Sequence, residues 1–240
     1  MTKMQPAPLD QIEHWVFDLD NTLYPASCDL FSQIDWRMTG FIAEALEMPP
    51  EEARLLQKAL FRRHGTTLRG LMTEHGLEPS AFLDFVHDID YAPVIACNRL
   101  KAALAALPGE KLIFTNGTVR HAERVLERLG LDGFSGIFDI VAADYTPKPD
   151  PAPYDVFVKR HAIDPRRAAM VEDIARNLVP AAGLGMTTVW VTGSPASSPE
   201  WAKAGSDDGH IHHVTGDLAG WLADCLKGAG TQAPDTPGGS

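Results

Sequence analysis

The 240-residue sequence predicts an α/β protein: a doubly wound, Rossmann-like parallel sheet with an all-helical cap domain inserted into it. Three observations carry that expectation. From Leu112 onward, short apolar runs alternate with amphipathic helical patterns, the rhythm of strands joined by crossover helices. Near the N-terminus, "HWVFDLDN" is an apolar run that ends in two aspartates, Asp18 and Asp20, with one leucine between them. From Ser27 to Arg99 the pattern is helical throughout and shows no strand-like alternation.

The first strand is expected at His14 to Phe17, so residues 1–26 form the opening piece of the sheet core. Residues 27–99 read as the cap. In "FSQIDWRMTGFIAEAL", Ile34, Met38, Phe41, Ile42 and Ala45 recur at helical spacing. "PPEEARLLQKALFRRHG" opens on proline and glutamates and closes on basic residues and Gly65, in keeping with the polarity of a helix. "RRHGTTLRG" then reads as a loop between cap helices, and "SAFLDFVHDI" as a helix with Ser80 as its cap and Phe82, Phe85, Val86 and Ile89 in one stripe.

The core resumes over residues 100–228. "KLIFTNG" is a strand closed by turn residues. "HAERVLERLG" is a helix with Ala122, Val125, Leu126 and Leu129 on its apolar face and Gly130 placed to stop it. "GIFDIVAAD", "AAMVEDI" and "TTVWV" follow as strands, separated by helices at "YDVFVKRHAI" and "ARNLVPAAGLG". A long surface loop leads to a last short strand at Ile211 to Val214, and residues 229–240 are expected to be disordered.

With 45% hydrophobic and 22% charged residues, the chain can bury a full core. No apolar run approaches the roughly 18 residues of a membrane span. The first residues lack the apolar stretch of a signal peptide, so a cytoplasmic protein is expected. Cys28, Cys97 and Cys225 are widely spaced with no CxxC pair and read as reduced thiols. A net charge of −11 repels nucleic acid polymers. A small phosphorylated metabolite remains a suitable ligand, because a local metal and a few basic side chains overcome that distant field.

Ligands of an open parallel sheet bind beyond the carboxyl ends of its strands. Asp18 and Asp20 follow the first strand, Thr115, Asn116 and Gly117 the second, Lys148 (in "TPKPDP") the third, and Glu172 and Asp173 lie at the end of the next. Strand side chains at i and i+2 share a face, so the two aspartates emerge together, and converging anions call for a cation. Singly, each signal has an ordinary reading as a turn, a loop or a helix cap. Together, at successive strand ends, they point to one site. Three other features are set aside. "GLGM" at Gly183 to Met186 follows a helix, the wrong order for a dinucleotide loop. His210 to His213 lie in a polar segment entering a strand, and Lys58 reads as a surface residue of a cap helix.

The motifs "FDLDNTLYP", "FTNG", "KPDP" and "VEDIARN" occur in this order, and across about residues 12–226 the chain resembles the haloacid dehalogenase-like superfamily of phosphohydrolases. The longer phrases "RHGTTLRGLMTEHG", "VHDID" and "IFTNGTVRHAERVLERLGLDGFSGIFDI" look like its pyrimidine 5′-nucleotidase branch. The resemblance implies a Mg²⁺-dependent phosphatase. In it Asp18 is the nucleophile that becomes an aspartyl phosphate, and Asp20 the general acid and base. It implies that Mg²⁺ is held by an Asp18 oxygen, the Asp20 backbone carbonyl and Asp173, with Glu172 joining through a water. Thr115 and the amides around Asn116 and Gly117 would bind the phosphoryl oxygens, and Lys148 would neutralise charge on Asp18. Asn177 would orient Lys148 or the Asp173 side of the site. The cap is expected to read the leaving group through Thr66 and Arg69. Phosphatases of other small metabolites and phosphomutases share all four motifs. A binding protein that had lost the chemistry would have no reason to keep Asp18, Asp20, Thr115, Lys148 and Asp173 together.

Overall fold

The computed structural model describes residues 7–193, Lys203 and residues 209–229. Most of the long loop before the last strand, and residues 230–240 of the expected tail, lie outside the described residues.

Strand β1 (His14–Phe17) leads into four consecutive helices: α1 (Leu30–Ala45), α2 (Pro50–His64), α3 (Thr67–His75) and α4 (Pro79–Val86). These pack around their own cluster of Ile34, Ile42, Ala53, Leu60, Leu68, Leu71, Phe82, Leu83 and Val86. Ile140, from beyond the second helical crossover, is the buried core residue that joins this cluster and so ties the helical insertion to the sheet. Lys58, on α2, reaches Asp35 of α1 at 2.6 Å, a partly exposed ion pair within the insertion.

The chain then alternates: α5 (Asn98–Ala106), β2 (Glu110–Phe114), α6 (Val119–Leu129), β3 (Gly136–Phe138), α7 (Pro151–Arg160), β4 (Ala168–Glu172), α8 (Leu178–Leu184), β5 (Thr187–Val191), β6 (His213–Thr215) and α9 (Leu218–Ala229). All neighbouring strands are parallel, in the order β3-β2-β1-β4-β5-β6. This is the doubly wound sheet expected from the sequence. Alternation along β1 sends Trp15 and Phe17 into a core shared with Leu104, Val125 and Leu222 of α5, α6 and α9. Val16 points the other way, into a core with Tyr154, Phe157 and Leu178 of α7 and α8. Strand order reverses at β1, so its carboxyl end, between those of β2 and β4, is the switch point where such sheets bind ligands.

Local chemistry accounts for the differences from the sequence expectations. "RRHGTTLRG" is not a loop throughout. Gly65, in the left-handed region at φ 81°, ends α2, and Thr66 starts α3 at once by accepting a hydrogen bond from the Arg69 N–H at 3.1 Å. Helix α4 begins at Pro79 with Glu78 before it, so Ser80 lies inside the first turn and caps nothing. The strand in "GIFDIVAAD" stops at Phe138, because the Asp139 carboxylate accepts from the Val119 and Ala142 N–H groups and folds the chain into a turn. The last strand is His213–Thr215 and not Ile211–Val214: Thr188 and His212 bond each other through side chain and backbone and hold the approach out of the ladder. Among the described residues, no helix is long and apolar enough to cross a membrane.

Candidate active site

Asp18 extends β1 by one ladder bond, its N–H donating to the Val171 carbonyl at 2.9 Å. The side chain is buried and both oxygens are engaged. Lys148 Nζ donates to Oδ1 at 2.7 Å, and Thr22 Oγ1 to Oδ2 at 2.9 Å. Lys148 also donates to the Phe114 carbonyl at 2.8 Å and lies 3.6 Å from Glu172 Oε2. Burial works against its charge, but the Asp18 and Glu172 carboxylates outweigh burial and raise its pKa above the usual lysine value. The loop that delivers this lysine contains a cis Lys148–Pro149 bond and is clamped to the β2 turn. Lys148 N–H donates to Asn116 Oδ1 at 2.9 Å, and Asn116 Nδ2 donates back to the Lys148 carbonyl at 3.3 Å.

Asp18, Glu172 and Asp173 each offer an oxygen within 4.8 Å of the others. Burial, and then the Asp18 charge, push the carboxyls of Glu172 and Asp173 well above the carboxylate range. Glu172 and Asp173 cannot both ionise there without more positive charge than Lys148 brings. Glu172 Oε2 is buried and has no hydrogen-bond partner, while Oε1 is held by Asn177 Nδ2. Asn177 is itself buried and accepts from the Tyr154 hydroxyl through its carbonyl at 2.5 Å. Trp190 Nε1 fixes the Asp173 carbonyl at 2.8 Å. An oxygen-only cluster with an orphaned carboxylate oxygen fits a hard divalent cation.

Asp20 stands apart from that cluster. Its Oδ1 accepts from the Tyr24 hydroxyl at 2.5 Å and from His121 Nε2 at 2.7 Å. Burial alone would raise its pKa, but His121 and Tyr24 overcome it and hold the group at about 2. His121 is fully buried, with Nδ1 3.0 Å from the Tyr91 hydroxyl and the His87 ring stacked on it at 4.5 Å. Burial and the adjacent His121 ring lower the His87 pKa to about 4, leaving that ring neutral at neutral pH.

Residues 12–185 match the haloacid dehalogenase-like hydrolase family. The chain belongs to that family. Over 200 residues it is 26% identical to phosphate metabolism protein 8 of Saccharomyces cerevisiae, covering 75% of this chain and 62% of that relative. It therefore spans less than two thirds of the relative's length. Among solved structures, a 2-haloacid dehalogenase from Pseudomonas syringae pv. Tomato DC3000 shares 21% identity at a TM-score of 0.56, over 90% of this chain and 98% of that one. The HAD-hydrolase YfnB of Bacillus subtilis, bound to magnesium, shares 17% at a TM-score of 0.56 over the same fractions. The L-2-haloacid dehalogenase of Xanthobacter autotrophicus shares 18% at 0.54, over 92% of this chain and 100% of that one. At these identities the structural likeness speaks for the fold.

Within this family fold, Asp18, Asp20, Thr115, Lys148, Glu172 and Asp173 lie together at the strand ends. Thr115 is buried, and its Oγ1 accepts from the Gly117 N–H at 2.9 Å. The Asn116 side chain is committed to clamping the Lys148 backbone, which leaves a ligand only the backbone of that turn. Asn177 does not orient Lys148 or Asp173; being buried one turn beyond β4, it grips Glu172. His210 Nε2 lies 2.9 Å from the Ala175 carbonyl and His212 bonds Thr188, so the histidine segment is a structural brace. In the cap, the Thr66 hydroxyl accepts from the Arg69 N–H as the α3 cap, which engages one lone pair of its oxygen. Arg69 stands half-exposed on the first turn of α3, 3.7 Å from Asp150 at the start of α7, and so bridges cap and core. The residues missed by sequence reasoning are Thr22, Tyr24, His87, Tyr91 and His121. Thr22 and Tyr24 each stand four residues after the aspartate they bond, a spacing visible in "DLDNTLY". The other three come from distant segments, and only the fold unites them.

Proposed function

We propose that this hydrolase is a Mg²⁺-dependent phosphomonoesterase that works through an aspartyl phosphate on Asp18, with pyrimidine nucleoside 5′-monophosphates as its substrate class. The observation that carries the reading is Asp20: a second carboxylate at the strand end, held by its own donors away from the cation cluster. A halide leaves as an anion and needs no proton, whereas an alcohol leaving from phosphorus does. A dehalogenase has no use for such a group. The phosphate named in the yeast relative and the magnesium bound to YfnB support the same chemistry.

Asp18, Asp173 and Glu172, with the Asp20 backbone carbonyl, would hold the cation. When bound, Mg²⁺ supplies charge neutralisation at the attacked phosphate. Asp18 attacks phosphorus, restrained by Thr22 and Lys148, and Lys148 offsets the charge of nucleophile and phosphoryl group. The Thr115–Gly117 turn orients the phosphoryl oxygens. Asp20, ionised in the free protein, takes up a proton as the anionic phosphate arrives beside it, gives that proton to the departing alkoxide, then takes one from the water that opens the aspartyl phosphate.

Mg²⁺ with beryllium fluoride, a mimic of the phosphorylated carboxylate, should raise the melting temperature. Ligand at a hundred times Kd stabilises a native state by about 2.7 kcal/mol. Asp173→Ala should abolish that shift; a full shift in the variant would put the cation elsewhere.

Substrate choice falls to the cap side, since the chemistry at phosphorus is common to all monoesters. Arg69 presents a guanidinium at the cap–core boundary, where it can bond a base or ribose. UMP and CMP are expected to give higher kcat/KM than AMP and GMP. Arg69→Ala should raise KM for UMP several-fold more than for an aryl phosphate without base or ribose. Equal kcat/KM for purine and pyrimidine nucleotides would remove the nucleotidase assignment and leave a phosphatase of other small metabolites.

A further inference from the structure

We infer that His121 is the positioning residue for Asp20, anchoring Oδ1 so that Oδ2 faces the leaving-group oxygen. This rests on the phosphomonoesterase reading above, in which Asp20 transfers protons, and extends it to a residue outside the four motifs.

Both ring nitrogens of His121 have partners. The Asp20 carboxylate only accepts, so His121 Nε2 carries the hydrogen. The Tyr91 hydroxyl donates its one hydrogen to the His87 carbonyl at 2.9 Å, and its oxygen lies 3.0 Å from His121 Nδ1. His121 sits in the first turn of α6, where its N–H donates to Thr118 Oγ1 at 3.2 Å, and its side chain is wholly excluded from solvent. The ring is thus fixed at its backbone, at both nitrogens and by the stacked His87.

A carboxylate held by one donor can rotate and exchange its oxygens. Here two donors, Tyr24 and His121, converge on Oδ1, and among the described residues no hydrogen bond reaches Oδ2. Oδ2 is therefore where a proton can reside. Its direction is marked by Gly117. A Cβ built there would lie 3.8 Å from Asp20 Oδ2, 3.3 Å from Thr115 Oγ1 and 3.0 Å from His121 Cδ2. The free oxygen thus faces the turn assigned to the phosphoryl group. A side chain at position 117 would also crowd the imidazole, so the glycine makes room for the residue that holds the acid. Tyr91 and His87, which complete the network, belong to the segment that returns from the cap to the core. The orientation of Asp20 is in this way tied to the seating of that segment.

The test compares a nucleoside 5′-monophosphate, whose alcohol leaves poorly without a proton, with a nitrophenyl phosphate, whose phenolate leaves unaided. The quantity to read is kcat/KM, which covers the steps through departure of the leaving group. His121→Leu is expected to lower it about 10²-fold for the nucleotide and less than about tenfold for the aryl ester, in line with the usual worth of general acid catalysis. His121→Gln, which keeps an N–H donor, should recover most of the loss. In an Asp20→Asn background, His121→Leu should cost nothing further, as expected of residues acting as one unit. Should the leucine variant not fold, Tyr91→Phe carries the test, with a severalfold loss confined to the nucleotide. Equal losses on the two esters, or no loss on either, would overturn the positioning role. A wild-type enzyme inactive on both esters would instead overturn the phosphomonoesterase reading itself, and this inference with it.

Discussion

Asp18→Asn is expected to lower turnover by roughly 10⁴-fold or more, the scale on which loss of a covalent nucleophile is felt. The amide is the same size but cannot attack phosphorus. Its oxygen can still accept from Lys148, and its nitrogen can face the Thr22 hydroxyl, so both restraints on the side chain survive in altered form. The substitution also removes the charge that raises the carboxyls of Glu172 and Asp173. Stability should therefore change by no more than about 1 kcal/mol, because the lost ion pair is offset by relieved repulsion. A thermal melt beside a steady-state assay reads both quantities. Activity near that of the wild type after repeated purification would remove Asp18 from the nucleophile's role.

Lys148→Met should be costly in both respects. Among the described residues, Lys148 is the one cationic side chain in contact with Asp18 and Glu172, and all three are buried. Removing one partner from a buried ion pair typically costs about 3–5 kcal/mol, because the remaining charge is left unpaired. Activity should fall about 10²–10³-fold, the usual consequence of losing a preorganised donor at the reacting group. The stability loss has a predicted pH dependence in metal-free protein. Burial and Asp18 already raise the Glu172 pKa while Lys148 opposes them, so the variant raises it further. A carboxyl whose folded pKa exceeds its unfolded value binds more protons when folded, and stability then falls as pH rises between the two. Denaturant melts should show a smaller deficit at pH 5 than at pH 8. A deficit independent of pH would mean that lost packing, and not unpaired charge, is responsible.

The sheet was legible in the sequence because each strand's apolar run ends in turn or acidic residues, and because Gly130 stops α6 in the left-handed conformation at φ 64°. The catalytic aspartates were legible for the same reason: a strand end is a local feature, and Asp18 and Asp20 interrupt an apolar run. Helix α3 was not, because its start signal, Thr66 after Gly65, is also the chemistry of a turn. Asn177 showed its place in the chain but not its partner, since burial decides whether an amide faces water or Glu172. The network behind Asp20 was out of reach altogether. His121 lies 101 positions from Asp20 and 30 from Tyr91, and no periodicity links residues that only the docking of α6 and the cap segment brings together.

The central claim is a covalent aspartyl phosphate on Asp18, and its most direct test is to trap it. In Asp20→Asn the group that activates the hydrolytic water is gone, while a nitrophenyl phosphate can still lose its leaving group unaided, so the intermediate should accumulate. Acid quenching within the first turnover, followed by peptide mass spectrometry, should find one added phosphoryl group on the peptide containing Asp18, labile to hydroxylamine as an acyl phosphate is. Release of nitrophenolate with no phosphoryl group on the protein, or a phosphoryl group that persists when Asp18 is also replaced by asparagine, would contradict the account.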